Sequence, residues 1–486
     1  THQKYGTMRL SKITLSNFRC FERLELDLHP RLTVLVGENG AGKTAVLDAI
    51  AGALSPVLTY LSSANQRLSG RGIQDGDFRV VQWPQFGGKA RWGMADITQL
   101  QVETFDGLAW DVWRASTKGK KPEHTIGQTE LKHYLQKVSD SYAAELPCLT
   151  PVIAYYGARR GYIEVPQRLR AAKQNYGYPA AALIGALDSM SDFREMLAWF
   201  DQEEAAELRA NKGMIDEDFA ESPTIVAVRT VIEELLGGAY FNPHFNKDHK
   251  FVLERKPDGA HLMVSQLSQG YQSMLALAMD FARRLAIGNP HAVYETERAW
   301  PQILEAISRL DALDNTFSSG VADDGTTALR PALSLSAPAI MLVDEIDLHL
   351  HPTWQQRVLG DLMRTFPLTQ FIVTTHSPQV LTTVSRDNIR ILQATETCFE
   401  ASKPDFSPLA HESGDALAKV MGTQREPELP MQDDIRRYEQ LVRTGQESSP
   451  DAQQLRDTLE NAGYQFHESD LATWRFLAAR KSGKAG

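Results

Sequence analysis

The segment Gly37-Glu38-Asn39-Gly40-Ala41-Gly42-Lys43-Thr44 limits what this 486-residue chain can fold into more than any other stretch. It follows a short continuous apolar run, Leu32–Val36, and precedes a helical pattern with Val46, Leu47 and Ile50 on one face. Strand, glycine loop and helix in that order are the context in which G-x-x-x-x-G-K-[ST] cradles phosphate. The glycines let backbone N–H groups turn toward phosphate oxygens, and the helix aims the positive end of its dipole at them. In such a loop Lys43 reaches the β- and γ-phosphates of ATP, and the Thr44 hydroxyl ligates Mg²⁺. The sequence therefore predicts an α/β fold that holds the phosphates of a nucleotide together with Mg²⁺.

Three later motifs extend that chemistry. Ile340–Val343 is an apolar strand ending in Asp344-Glu345. Asp344 is placed to hold Mg²⁺ through water, and Glu345 to orient and deprotonate the attacking water. Leu267-Ser268-Gln269-Gly270 stands at a loop-to-helix junction. Its serine, glycine and free N–H groups suit the γ-phosphate of a nucleotide held by a second protomer, while a plain N-cap uses the same residue types. His376 follows the strand Phe371–Val373, where an imidazole can hydrogen-bond both a γ-phosphate and the water-orienting carboxylate.

Composition excludes several classes. The chain has 51 Lys plus Arg against 61 Asp plus Glu, a net charge of −10, so it lacks the basic surplus of a protein that coats nucleic acid. Any such contact must be local or supplied by a partner. The local candidate is 158–173, with Arg159, Arg160, Arg168, Arg170 and Lys173 against Glu164; a solvated or intersubunit face is the more ordinary reading of those residues. Cys20, Cys148 and Cys398 lie far apart with no CxxC spacing, which points to reduced thiols and a cytoplasmic protein. No apolar run is expected to span a bilayer, and the residues before Met8 read as a tag remnant or a ragged extension.

The expected organisation is an N-terminal ATPase lobe at 8–125, an inserted helical lobe with strands at 126–260, a C-terminal ATPase lobe at 261–390 and a helical region at 391–486. An insertion occupies about 288–338. Helices are predicted over Gln128–Ala144, Ala180–Leu208, from Ser222-Pro223 onward, Leu267–Leu285 and about Val293–Leu310. Three short amphipathic helices follow residue 430. They are expected to dock on the head or on another chain, being too few to bury their apolar faces among themselves.

The four motifs in this order, with Asn17-Phe18-Arg19 ahead of the loop, resemble the ABC-type ATPases of the SMC and RecF group. The stretches Asp344–Gln355, Phe371–Pro378, Pro151–Gly157 and Leu267–Asp280 bring the resemblance closer to the ATPase of Septu-type antiphage systems and its retron-associated relatives. It covers roughly Met8–Arg386 and implies an ABC-type ATPase head, a P-loop NTPase with an inserted helical lobe and a small helical C-terminal region. It also implies a homodimer, or a higher assembly, closed around two ATP molecules. Ser268 and Gly270 would then reach across to the partner's nucleotide, and Asp347 would monitor the opposite site. Arg19 would touch the nucleotide phosphates, and Gln74, preferred over Gln82, would complete the Mg²⁺ shell.

The implied function is ATP hydrolysis in antiphage defence, controlling a separate HNH-type effector nuclease. A retron reverse transcriptase and its msDNA are further candidate partners, and no membrane is involved. The alternative is a RecF-like repair ATPase that binds DNA directly. Two features depart from the resemblance. The stretch from Gly270 to Asp344 is longer than a compact cassette needs, and no sustained heptads separate Lys43 from Ser268.

Overall fold

The first strands differ in burial, and the difference assigns each to its sheet. In β2 (Phe21–Asp27) buried Phe21, Leu24 and Leu26 are interleaved with exposed residues, whereas β3 (Leu32–Val36) is buried at all five positions. A half-buried alternating strand suits an antiparallel sheet, and a wholly buried one suits the middle of a covered parallel sheet. A computed structural model places them so, and describes residues 7–64, 66–86, 89–158, 177–189, 193–214, 219–314, 333–395, 399–423 and 431–482. The chain forms two compact units, Thr1–Met421 and Gly422–Gly486.

In the first unit, β1 (Leu10–Phe18) pairs with β2 and with β6 (Ile97–Thr104), which pairs in turn with β7 (Ala109–Ala115), giving an antiparallel sheet of order β2-β1-β6-β7. Between them, β4 (Val80–Phe86) and β5 (Lys89–Met94) form a separate hairpin. The helix after the glycine loop, α1 (Lys43–Leu61), shares a core with this sheet and with α2 (Thr129–Ala143), through residues such as Ile50, Leu54, Leu100, Trp110 and Leu135. By length and composition α1 could cross a bilayer, which the sequence reading did not foresee. Its apolarity has another cause, since 78% of the relevant stretch is buried inside the protein.

The main sheet has the order β15-β14-β3-β13-β12-β8, built from β8 (Val152–Tyr156), β12 (Ala339–Val343), β13 (Thr369–Thr374), β14 (Ile389–Ala394) and β15 (Phe399–Ser402) around β3. All neighbours are parallel except the edge pair β14 and β15. Alternation along each strand divides its side chains between two cores. Val34, Met341 and Val373 face one, while Leu35, Leu342 and Ile372 face the other. Because β14 and β15 complete this sheet, the second compact unit begins at Gly422 and not near residue 391.

The core on the first side is filled by α3 (Phe193–Ala210), α4 (Pro223–Leu235) and α5 (Gln269–Gly288). A small antiparallel sheet joins them, formed by β9 (Tyr240–Phe245), β10 (Phe251–Arg255) and β11 (His261–Met263) in the order β11-β10-β9. The predicted helix over Ala180–Leu208 is corrected here. A 3-10 turn covers Pro179–Leu183, Gly185 adopts φ +60°, and α3 starts only at Phe193. The helix expected over Val293–Leu310 is likewise two, Pro290–Tyr294 and Thr296–Leu313. The basic residues Arg159, Arg160, Arg168, Arg170 and Lys173, as well as Cys398 and 315–332, lie outside the described residues.

The helices of the second unit share a core, with Leu441 and Leu455 left partly exposed at its edge. Gln432–Arg443, Pro450–Asn461 and Glu468–Ser482 bury Ile435, Tyr438, Val442, Ala452, Leu459 and Leu471 together, with Phe466 and Trp474 packed against them. The aromatic rings supply the volume that three short helices otherwise lack; Tyr438 and Phe466 lie 4.6 Å apart.

One buried ionic group fastens α5 to the main sheet. Asp280 accepts hydrogen bonds from Arg283 (2.6 Å), Arg284 (2.7 Å) and the Tyr156 hydroxyl (2.8 Å). Arg284 also donates to the carbonyls of Ala182 and Ile184 at 2.7 and 2.9 Å. Burial alone would raise the Asp280 carboxyl, but Arg284 and Arg283 hold it down at about 2. Removing its charge strands two buried guanidinium groups, so Asp280→Asn is expected to cost about 3–5 kcal/mol, read from chemical unfolding. Because the folded carboxyl titrates below the unfolded value of about 3.9, this contribution is complete above that pH and disappears as pH falls through about 2. A loss under about 1 kcal/mol at neutral pH would show that the pair is not a fastening.

Candidate nucleotide site

Sheet register sets the site. Val343 of β12 pairs with Val373 of β13, and Val373 pairs with Val34 of β3. The three strands therefore end within two residues of one level, and the segments that leave their carboxyl ends converge there, where open α/β sheets bind ligands.

The glycine loop is shaped by contacts that only glycine permits. Gly42 has φ +89°, and a Cβ there would lie 2.5 Å from the Phe21 ring and 3.0 Å from Cys20 Sγ. At Gly37 an added Cβ would come 2.5 Å from the Leu392 carbonyl oxygen. Glu38, Asn39 and Gly40 form the exposed crest, and Ala41 is tucked inside. Lys43 is only 7% exposed and donates Nζ to the carbonyls of Gly37 (2.8 Å) and Glu38 (3.0 Å). Burial lowers its pKa, against the opposing pull of Asp344, Glu345 and Asp347. An ammonium with that much desolvation and three nearby carboxylates is poised to gain from a phosphate.

Thr44 and Asp344, 300 residues apart, meet directly, with Thr44 Oγ1 donating to Asp344 Oδ2 at 2.9 Å. The other Asp344 oxygen accepts from Thr374 Oγ1 at 2.6 Å, and Thr374 Oγ1 accepts the Glu345 N–H at 2.7 Å. Glu345 sits at φ +49°, an uncommon backbone for a residue with a side chain, and its neighbours hold it there through the bond from Ile346 N to the Thr374 carbonyl, 2.9 Å. Asp347 accepts from Thr375 Oγ1 (2.5 Å) and from the His376 N–H (3.3 Å). Two threonines that the sequence reading passed over, Thr374 and Thr375, thus join the acidic segment to the histidine segment. Their position at a strand's end beside His376 was the available signal.

Arg19, also left-handed at φ +50°, forms ion pairs with Asp48 at 2.7 Å and Asp77 at 2.9 Å. Burial works against its charge, but Asp48 and Asp77 leave its pKa raised. Asp48 lies on α1 and accepts the Tyr155 hydroxyl at 3.0 Å. Asp77 also takes Arg71 (2.8 Å) and the Gln74 N–H (2.9 Å), while the Gln74 amide donates to the Arg71 carbonyl. The structure therefore gives Gln74 a capping contact beside Asp77, and leaves Gln82 exposed on β4.

Ser268 is the exposed N-cap of α5, accepting the Tyr271 N–H at 3.4 Å. Gly270 is buried, and a Cβ on it would lie 2.6 Å from the His349 carbonyl oxygen. The start of α5 is thus pressed against the segment that carries Asp344, Glu345 and Asp347. The structure brings Lys43, Thr44, Asp344, Glu345, Asp347 and His376 into one hydrogen-bonded or electrostatically coupled group, with Arg19 attached through α1.

The donor set suits a metal–nucleotide: a glycine cradle for phosphate, a buried ammonium, and a hydroxyl beside a carboxylate for Mg²⁺. Comparison with known proteins agrees. An AAA domain profile matches residues 12–220, and a second AAA profile, of the AbiEii toxin, Type IV TA system description, matches 162–382. Fold, site and domain matches define the chain as an ATPase. It is similar to the Retron Vc95 probable ATPase of Vibrio cholerae, at 25% identity over 93% of this chain and 87% of that protein. The Retron Ec83 probable ATPase of Escherichia coli is 26% identical over 93% of this chain and 84% of its own. The Septu protein PtuA of Bacillus mycoides matches only 13% of this chain and 9% of its own length, at 40% identity. The expected special closeness to Septu is therefore replaced by a broader likeness to retron ATPases. The SMC head domain from Thermotoga maritima aligns with 82% of this chain and all of its own, at 14% identity and a TM-score of 0.33.

Lys43→Ala removes a charge-assisted phosphate contact and should weaken ATP binding about tenfold or more. Titration with a fluorescent ATP analogue measures this, and unchanged affinity would remove Lys43 from the phosphate site.

Proposed function

We propose that this chain is the ATP-hydrolysing subunit of a bacterial antiphage defence system, and that it dimerises around ATP to control a separate effector nuclease. The observation that carries the catalytic half is the Thr44–Asp344 hydrogen bond, which assembles the Mg²⁺ corner from two ends of the sequence. The defence half is supported by the retron names of relatives that align along 93% of the chain.

In this reading Gly37–Thr44 bind the phosphates, with Lys43 on the β- and γ-oxygens. Thr44 and Asp344 hold Mg²⁺, with Gln74 as the further ligand once it releases Arg71. The ion, when bound, neutralises charge on the β- and γ-phosphates. Glu345 orients the attacking water and takes its proton, and His376 donates to the γ-phosphate. Ser268, exposed at the start of α5, with the buried Gly270 turn behind it, faces the nucleotide of the opposite protomer, and Asp347 senses that site. Arg19 exchanges an aspartate partner for phosphate. The chain's partners in this reading are an HNH-type nuclease, a reverse transcriptase and its msDNA, all in the cytoplasm.

Glu345→Gln tests the reading. It should still bind ATP but turn over about 100-fold more slowly or less, and should accumulate as a dimer in ATP by light scattering. Normal turnover would place the base elsewhere.

A further inference from the structure

We propose that His244, Glu254 and His261 form a binding site for a divalent transition metal, and that Zn²⁺ is the cation their two-nitrogen, one-oxygen donor set fits. The inference does not depend on the function proposed above. The three residues come from the three strands of the small sheet, His244 from β9, Glu254 from β10 and His261 from β11. One ligand atom of each lies within 4.8 Å of the others. A tetrahedral Zn²⁺ with bonds of about 2.0–2.1 Å needs its ligands about 3.3 Å apart, a closure that rotamer adjustment of the exposed His261 can supply.

Sheet register explains why they converge. Glu254 pairs directly with His261, and His244 pairs with Val252. Val252 and Glu254 are two residues apart on one strand, so all three ligands point from the same face. The opposite face of β10 carries Phe251 and Leu253 into the main core. Between Phe241 and His244, β9 contains a bulge, where Asn242 adopts φ +48°. Bulges re-aim side chains in this way.

Asn242 also orients two of the ligands. Its carbonyl lies 2.8 Å from His244 Nδ1, so an N–H at Nδ1 donates there and Nε2 keeps its lone pair for a metal. Its side-chain amide donates to Glu254 Oε1 at 2.6 Å, fixing the carboxylate. A histidine whose second nitrogen donates to a backbone carbonyl, beside a hydrogen-bonded carboxylate, is the outer-shell arrangement of bound zinc. The His244 and His261 rings stand at 89° with centroids 5.4 Å apart, which gives their nitrogens different approach directions. A metal here would cross-link all three strands. It would also steady β11, which runs through the turn Val264–Gln266 into Ser268 at the head of α5.

The test uses the full chain, freed of any histidine tag, stripped with a chelator and titrated calorimetrically with Zn²⁺. One saturable site per chain is expected, with a rise in melting temperature. His261→Ala and Glu254→Gln should each weaken that site at least about tenfold, and His244→Ala with His261→Ala should abolish it. His249→Ala, an exposed histidine outside the three, should leave it unchanged. Should the double variant fail to fold, Co²⁺ bound to the wild-type chain must give the intense visible band of a four-coordinate site. Absence of a saturable site, full affinity in the double variant, or a weak octahedral Co²⁺ spectrum would overturn the proposal.

Discussion

The hydrogen bond from Thr44 to Asp344 holds the rest of the arrangement to account. Residues 300 positions apart lie 2.9 Å from each other where β3 and β12 are separated by a single strand and end within two residues of the same height. The order β3-β13-β12 and its register meet that condition. The intervening strand then has a fixed task. Its last residue, Thr374, binds Asp344 by its hydroxyl and takes the Glu345 N–H as well. Strand order, the complete burial of β3, β12 and β13, and the left-handed backbone at Glu345 are consequences of bringing one loop and one acid together.

That geometry also limits what can change at the site's margins. Gly42 is packed under Phe21, Gly37 against the Leu392 backbone, and Gly270 under the His349 carbonyl. Three glycines therefore tie the phosphate loop to β2 and β14, and the start of α5 to the acidic segment. The contact at Gly270 thus places the start of α5, with Ser268, directly on the segment that carries Asp347, while Asp280 and Tyr156 fasten the same helix to β8.

The phosphate loop, the acidic pair, Ser268 and His376 were legible in the sequence because each is local: a few residues of fixed type at a strand end or helix start. The central sheet was legible too, through runs such as LTVLV and AIMLV. What was not legible depended on long-range partners. Thr374 and Thr375 have no motif of their own and matter only because of what they touch. Arg19 is a phosphate ligand only by the resemblance, whereas its ion pairs with Asp48 and Asp77 follow from tertiary packing. The helix expected from Ala180 failed at Gly185, where a left-handed turn prevails over helical periodicity. The core of the C-terminal helices depends on Phe466, which lies between two helices, carries no helical periodicity and meets Tyr438 at 4.6 Å.

The central claim is that each nucleotide site combines Lys43 of one protomer with Ser268 of another. Mixing two inactive variants, Lys43→Ala and Ser268→Arg, tests it most directly through ATP turnover. In a mixed dimer one site carries both lesions and the other carries neither. The account predicts recovery to about a quarter of wild-type turnover at equal mixing, since half the dimers are mixed and each has one intact site. Turnover no higher than the average of the two separate variants would contradict it.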